Sequence, residues 1–198
     1  MSNESLSSRL ILASSSKYRK MLLFRLGLPF ECLAPEIDET PEESESPFDL
    51  VCRLADEKAK TVSYSNPDSI VIGSDQIAVF EDRIIGKPGD HHAALEQLLS
   101  FSGKTVEFLT ALTVRCLTSD FIEQHVDTTR VCFRNIEAEE IERYLRIEKP
   151  YDCAGAFKAE SLGITLFEKI TSDDPTALIG LPLIRTAAML RRAGLQLP

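Results

Sequence analysis

No two of the five cysteines, Cys32, Cys52, Cys116, Cys132 and Cys153, are spaced as a CxxC pair. An odd count at irregular spacing points to scattered reduced thiols rather than a disulfide framework. Histidine is also scarce. His91, His92 and His125 form no ligand pattern with the cysteines, so a zinc site is not expected. Neither GxGxxG nor GxxxxGKS/T occurs, which leaves the dinucleotide-fold and P-loop readings without support. Positive charge is in deficit: 22 Lys and Arg stand against 31 Asp and Glu, a formal net charge of −9. A nucleic-acid coat is normally basic, so no nucleic-acid partner is expected. A small anionic ligand stays open, because a local cationic pocket does not need a cationic protein. No apolar run approaches a membrane span, and the opening "MSNESLSSR" has no apolar core of a signal peptide. The expectation is a cytoplasmic protein with no membrane partner. There is no internal repeat and no low-complexity tract.

What is present suffices for a sizeable core: 198 residues with 43% hydrophobic content. The length fits one domain over 1–198, or two lobes sharing a sheet, with the polar residues 1–8 loose. Arg9 to Ser14 reads as a buried strand. Ser16 can cap a helix from Lys17 to Leu26, with Gly27 as its stop. Phe30 to Leu33 reads as a short strand. The stretch "PEIDETPEESESP" then holds six carboxylates between Glu36 and Glu45 and reads as a loop. Pro47 opens a helix whose apolar stripe is Phe48, Val51, Leu54, Ala55, Ala59 and Val62. Ser69 to Ile72 is a buried strand; Ile77 to Phe80 and Arg83 to Ile85 form a hairpin around Glu81-Asp82. A helix over Asp90 to Ser100 precedes two long strands, Thr105 to Leu117 and Phe121 to Phe133. A helix over Glu137 to Glu148, a strand over Gly163 to Ile170 and a helix over Leu181 to Ala193 complete the chain. Strands alternating with helices, then long adjacent strands, predict an α/β fold: a mixed sheet with helices packed around it.

Several short stretches carry chemistry. In "ASSSKYRK", a strand, a polar turn and a helix start make an anion site, where exposed N–H groups and the hydroxyls of Ser14 and Ser16 can donate to phosphate. Arg19 adds a permanently charged planar fork. The plainer alternative is a serine cap with solvated cations, yet cations in a first turn oppose the helix dipole by about 0.3–1 kcal/mol each. In "EIDE", extended backbone puts Glu36 and Asp38 on one side, and carboxylates suit a hard divalent ion such as Mg²⁺ or Mn²⁺. The same stretch reads equally as a solvated acidic loop. Asp75, in "IVIGSDQIAVF", sits where one apolar strand ends and another begins, and is either a turn residue or a positioned base. Lys87 of "GKP" and Lys58, on the polar side of the second helix, read by default as surface lysines. Lys158 and Glu160 lie in the small-residue turn "CAGAFKAE". Cys153 has no histidine or base nearby in sequence, which argues against nucleophilic catalysis.

Taken in order, "ASSSKYR", "EIDE", "GSDQ", "GKP", "CAGAFKAE" and "GITLFE" resemble the Maf-like nucleotide pyrophosphatases, from about Arg9 to Gly194. With "GLPL", the blocks look most like the YceF subgroup, the 7-methyl-GTP pyrophosphatases. The resemblance implies an elongated two-lobed α/β fold around a nucleotide cleft. It implies hydrolysis of a nucleoside triphosphate to monophosphate and pyrophosphate with a divalent cation, and a homodimer. On matching positions Asp75 is the proton acceptor. Tyr18, Gln76 and Glu160 fall on positions tied to substrate choice. Ser14, Arg19, Lys58 and Lys87 line the cleft, and Glu36, Asp38 and Glu39, with Asp75, are the candidate metal ligands. Lys17 stands where the family usually has proline, and Lys20 replaces a frequent second arginine. The alternatives are a dTTP/UTP or other non-standard nucleotide pyrophosphatase, which an arginine in place of Tyr18 would have favoured, and a nucleotide-binding regulator of cell division with little turnover.

Overall fold

The structure, a computed structural model, describes residues 9–197. The loose segment expected over 1–8 lies outside the described residues. The elements are β1 (Leu10–Leu12), α1 (Lys17–Phe24), β2 (Glu31–Cys32), α2 (Pro47–Ser65), β3 (Ile70–Phe80), β4 (Arg83–Ile85) and α3 (His91–Phe101), followed by β5 (Thr105–Cys116), β6 (Phe121–Phe133), α4 (Ala138–Glu148), β7 (Phe167–Thr171) and α5 (Leu183–Arg192). Short 3₁₀ turns cover Ala154–Ala156, Leu162–Leu166 and Ala177–Ile179. The sheet runs β2-β1-β3-β5-β6-β7, with β4 paired to β3. β1 is parallel to β2 and β3, and the remaining pairs are antiparallel. The mixed α/β fold is the one expected.

The expected break before Ile77 does not exist. β3 passes straight through Gly73-Ser74-Asp75-Gln76, because β5 pairs with it continuously from Val71↔Arg115 to Val79↔Glu107. Asp75 is therefore a mid-strand residue, and it is buried. On its other edge β3 is paired to β1 only at Ile70–Ile72 and to β4 only at Ala78–Phe80. Residues 73–77 thus have an open edge, and the cleft lies there.

α2 starts as its sequence dictates. Ser46 accepts from the Asp49 N–H at 3.1 Å, and Pro47 fills the first turn. Its stripe Leu50, Val51, Leu54, Ala55, Ala59 and Val62 is buried, whereas Phe48 is exposed. The helix crosses directly over Gly73, where a Cβ would come within 2.2 Å of the Ala55 carbonyl and 2.6 Å of the Ala59 nitrogen. Lys58 lies on this same buried face, not on a polar side, three and four residues beyond Ala55 and Leu54.

On the opposite face of the sheet two clusters sit apart. One, around Phe101, Phe108, Phe133 and Phe157, packs beneath α3 and α4. The other, around Leu12, Leu22, Leu23, Ile72, Met189 and Leu190, packs beneath α1 and α5. The Glu81-Asp82 hairpin is present, both residues at positive φ. The strand expected from Gly163 begins only at Phe167: Gly163 is pressed against the Lys158 backbone, where a Cβ would meet the carbonyl at 2.4 Å, and the chain coils there instead. The five cysteines are free. Among the described residues no helix is long and apolar enough to cross a membrane.

Gly73→Ala is expected to force α2 off the sheet and to lower stability by about 1–3 kcal/mol. Gly86→Ala, whose Cβ would meet nothing within 4 Å, should stay within about 0.5 kcal/mol of wild type. Urea midpoints measured on both variants check the difference.

Candidate active site

A cleft of about 760 Å³ opens at the free edge of β3. Its walls include Ser14, Ser16, Tyr18, Arg19, Glu39, Lys58, Asp75, Gln76, Lys87 and Glu160. Successive strand residues point to opposite faces, so Asp75 turns toward α2 and Gln76 toward the Ala177–Ile179 turn. The cleft thus reaches both faces of the sheet around one edge.

On the α2 face, Lys58 Nζ donates to Asp75 Oδ1 at 2.6 Å and lies 2.6 Å from Glu39 Oε1. Lys58 and Asp75 are both buried, so each charge depends on the other. Lys58 holds the Glu39 carboxyl below its ordinary value, chiefly through that hydrogen bond and despite burial. Arg19 comes around the open edge. Its Nη2 is 3.9 Å from Asp75 Oδ1, and its Nε donates to the Gly180 carbonyl at 3.0 Å. Burial pulls the Arg19 guanidinium down, against Asp75 and then Glu39. Exposed Lys87 lines the same wall.

The polar turn before α1 closes this region. Ser16 is the N-cap, its Oγ accepting from the Arg19 N–H at 3.4 Å. Ser14 Oγ accepts from the Ser16 N–H at 3.1 Å and from Arg19 Nη1 at 3.4 Å. Both hydroxyls act here as acceptors, which leaves their hydrogens for an anion.

On the other face, Gln76 Nε2 donates to the carbonyls of Ala177 (2.9 Å) and Leu178 (3.1 Å) and to Thr110 Oγ1 (2.9 Å). Two carbonyls around one amide atom decide its orientation: the NH₂ points into the protein, and only the Gln76 oxygen remains for a ligand. The Tyr18 hydroxyl is 3.9 Å from Cys153 Sγ, and the Lys17 ammonium lies 5.0 Å from the Tyr18 ring centroid. Burial and then Cys153 raise the Tyr18 phenol. Burial and then Asp152 push the Cys153 thiol up to about 11, the reverse of an activated nucleophile. Glu160 is exposed on the same cleft. Lys158 does not project as a ligand group; its Nζ donates to the Glu148 carbonyl at 2.9 Å and lies 3.1 Å from Glu148 Oε1, pinning the Cys153–Glu160 turn to α4.

The candidate metal set is not gathered as expected. The Thr40 side chain, and then the Thr40 N–H donating to Asp38 Oδ1 at 2.9 Å, hold the Asp38 carboxyl low, and Glu36 is exposed outside the cleft. Among the described residues no group of three or more His, Cys, Asp or Glu is placed to hold a metal ion. Glu39 and Asp75 do converge on one point, the Lys58 ammonium. Two carboxylates fit Mg²⁺ or Mn²⁺ where water and substrate phosphates complete the shell.

Sequence reasoning missed Ser74 and Thr110, and it could not see the Ala177, Leu178 and Gly180 carbonyls, which carry no side-chain signal. The block "GSDQ" contains Ser74, but its role is set by contact with Gly180, 106 residues away.

The family model described as Maf-like protein matches residues 9–193, and the chain belongs to that family. A 7-methyl-GTP pyrophosphatase of Albidiferax ferrireducens is 47% identical over 194 residues, covering 98% of each chain. Proteins of the same name from Polaromonas sp. and Vibrio parahaemolyticus are 52% and 49% identical, covering 95% and 96% of this chain and 86% and 97% of theirs.

Arg53 ties the acidic loop to α2. Its Nε and Nη2 donate to the two Glu45 oxygens at 2.7 and 2.9 Å, and Nη2 donates to the Thr40 carbonyl at 3.0 Å. The first of these bonds holds the Glu45 carboxyl down to about 2. A lowered carboxyl adds stability that is present above its unfolded value and lost as pH falls through the folded one. Amide protection over 40–45 should therefore weaken between about pH 4 and pH 2. Arg53→Ala should remove it already at neutral pH; hydrogen exchange across that range reads both.

Proposed function

We propose that the chain hydrolyses 7-methyl-GTP to 7-methyl-GMP and pyrophosphate. The observation that carries this is one cleft lined both by the phosphate-type cations Arg19, Lys58 and Lys87 and by the base-type side chains Tyr18, Gln76 and Glu160, with Asp75 among them. The names of the relatives support the same reading.

Phosphoryl transfer needs positioning and charge neutralisation more than covalent help. Arg19, Lys58 and Lys87 hold phosphate oxygens, with the Ser14 and Ser16 hydroxyls donating at the start of α1. Asp75 orients the attacking water in line with the leaving pyrophosphate and accepts its proton. Lys58 holds the Asp75 carboxylate in place for this role. A divalent cation such as Mg²⁺ or Mn²⁺, held by Glu39 and Asp75, would supply charge neutralisation to the phosphates when bound.

Base choice follows from donor and acceptor count. Guanine presents N–H donors on its pairing edge, and Gln76 and Glu160 offer acceptors only. Methylation at position 7 makes the ring cationic, which suits the face of Tyr18. That face already attracts one cation, the Lys17 ammonium.

Pyrophosphate release from 7-methyl-GTP, GTP, dTTP and UTP, with and without Mg²⁺ or Mn²⁺, tests the proposal. The expected result is fastest release from 7-methyl-GTP. Preference for dTTP or UTP overturns it, and binding without release points to a regulator. Asp75→Asn should lower kcat by about 10²–10⁴-fold; near-normal turnover with metal present would remove Asp75 as the base. Tyr18→Ala should lower kcat/KM for 7-methyl-GTP more than for GTP, and equal losses would take Tyr18 out of base selection.

A further inference from the structure

The segment between β7 and α5 sends no charged side chain into the cleft, yet three of its carbonyls support it. The Ala177 and Leu178 carbonyls bind the Gln76 amide, and the Gly180 carbonyl accepts from Arg19 Nε at 3.0 Å and from Ser74 Oγ at 3.1 Å. Thr110 Oγ1 donates to the Ala177 carbonyl as well, at 3.1 Å. Carbonyls can do this only if the loop backbone is held still.

Asp174 holds it. Asp174 is 1% exposed. Its Oδ1 accepts from the Thr176 N–H at 2.9 Å and lies 2.7 Å from the Thr176 hydroxyl. Its Oδ2 accepts from the Ile184 N–H at 2.6 Å. The Thr176 hydroxyl accepts from the Leu183 N–H at 2.8 Å and lies 2.8 Å from the Leu181 carbonyl. Both ends of the 176–184 segment are thus closed onto one carboxylate. α5 needs this from outside, since its N-cap is Pro182, which has no side-chain acceptor. A negative charge there also suits the dipole of α5.

We propose that Asp174 is a positioning residue for the cleft. It acts through Thr176 and the 177–180 carbonyls, holding Gln76 as a pure acceptor toward the base and Arg19 toward the phosphates. The inference rests on the nucleotide reading of the cleft given above. A carboxylate that merely capped α5 would support stability without touching base choice. One that positions Gln76 must also move selectivity.

In Asp174→Asn an amide NH₂ replaces one oxygen and meets an N–H of Thr176 or Ile184, so the clamp opens. In Thr176→Val the shared hydroxyl is lost, and Thr176→Ser restores it. The first measurement uses the free protein: hydrogen exchange at the Gln76 side-chain amide, followed by ¹⁵N NMR. Exchange should be slow in wild type and at least about tenfold faster in Asp174→Asn and Thr176→Val, since two carbonyl acceptors are released. The second is the ratio of kcat/KM for 7-methyl-GTP to that for UTP, whose base lacks the two adjacent pairing-edge N–H donors of guanine. It should fall about tenfold in both variants and return in Thr176→Ser. In a Gln76→Ala background, Asp174→Asn should lower the ratio no further. Unchanged Gln76 exchange in a folded variant, or a selectivity loss that simply adds to that of Gln76→Ala, would overturn the proposal. If Asp174→Asn does not fold, the Thr176→Val and Thr176→Ser pair decides. If wild type cleaves neither nucleotide, the proposed function falls, while the exchange measurement still judges the clamp.

Discussion

A lysine ammonium held between two carboxylates is the contact on which this site depends. Lys58 emerges from the apolar face of α2, and Asp75 from the middle of a buried strand. Neither position would hold a lone charge, because the cost of desolvating an ion is repaid only by a close partner with good geometry. Their 2.6 Å contact exists because α2 lies flat on Gly73, two residues before Asp75. The glycine sets the distance between helix and sheet, and that distance sets whether the charges meet. Packing and chemistry are therefore one constraint here: whatever lifts α2 also separates the pair.

The open edge of β3 supplies the second half of the design. β1 and β4 are each three residues long and pair with opposite ends of an eleven-residue strand. The unpaired middle is where side chains on both faces can be reached by one ligand. Arg19 makes the point physically: one end of its guanidinium approaches Asp75 on the α2 face, and its Nε donates to Gly180 on the other. A strand fully paired on both edges would have put Asp75 and Gln76 on opposite sides of a closed sheet, with no common cavity.

How much of this could be read from the chain depends on the range of the interaction. The alternation of elements, the Ser46-Pro47 start of α2, the Glu81-Asp82 hairpin and the long β5–β6 pair follow from neighbours within a few residues, and these the pattern shows. Asp75 looked like a strand end because "GSDQ" interrupts an apolar run. Only its partner β5, some 35 residues on, keeps the segment extended. Lys58 looked like a surface residue because lysine usually is one. The spacing from Leu54 and Ala55 already placed it on the buried face, but its carboxylate partners are distant in sequence. Alternation placed Glu36 and Asp38 on one side, and the family resemblance made them candidate ligands. The Asp38 carboxylate is tied to Thr40 instead, and of the three acidic residues only Glu39 reaches the cleft. The order of the motif blocks, rather than any one block, carried the family, and the family match over 9–193 agrees with it.

Charge then explains the helix start that first looked misplaced. The chain carries a net −9, and the cleft wall mixes Lys17, Arg19, Lys58, Lys87 and Lys158 with Glu39, Asp75, Asp152 and Glu160. Lys158 is already spent on Glu148, and Lys17 lies 4.0 Å from Asp152. What is left for a triphosphate is close to neutral unless the carboxylates of Glu39 and Asp75 are themselves balanced. A divalent cation would balance them, and movement of Glu39 away from Lys58 would free an ammonium. In either case a bound triphosphate would bring an anion to the N–H groups at the start of α1, with Arg19 beside them. The first-turn cations that oppose the dipole of an empty helix would then act in the same direction as that dipole, because both would attract the same phosphate.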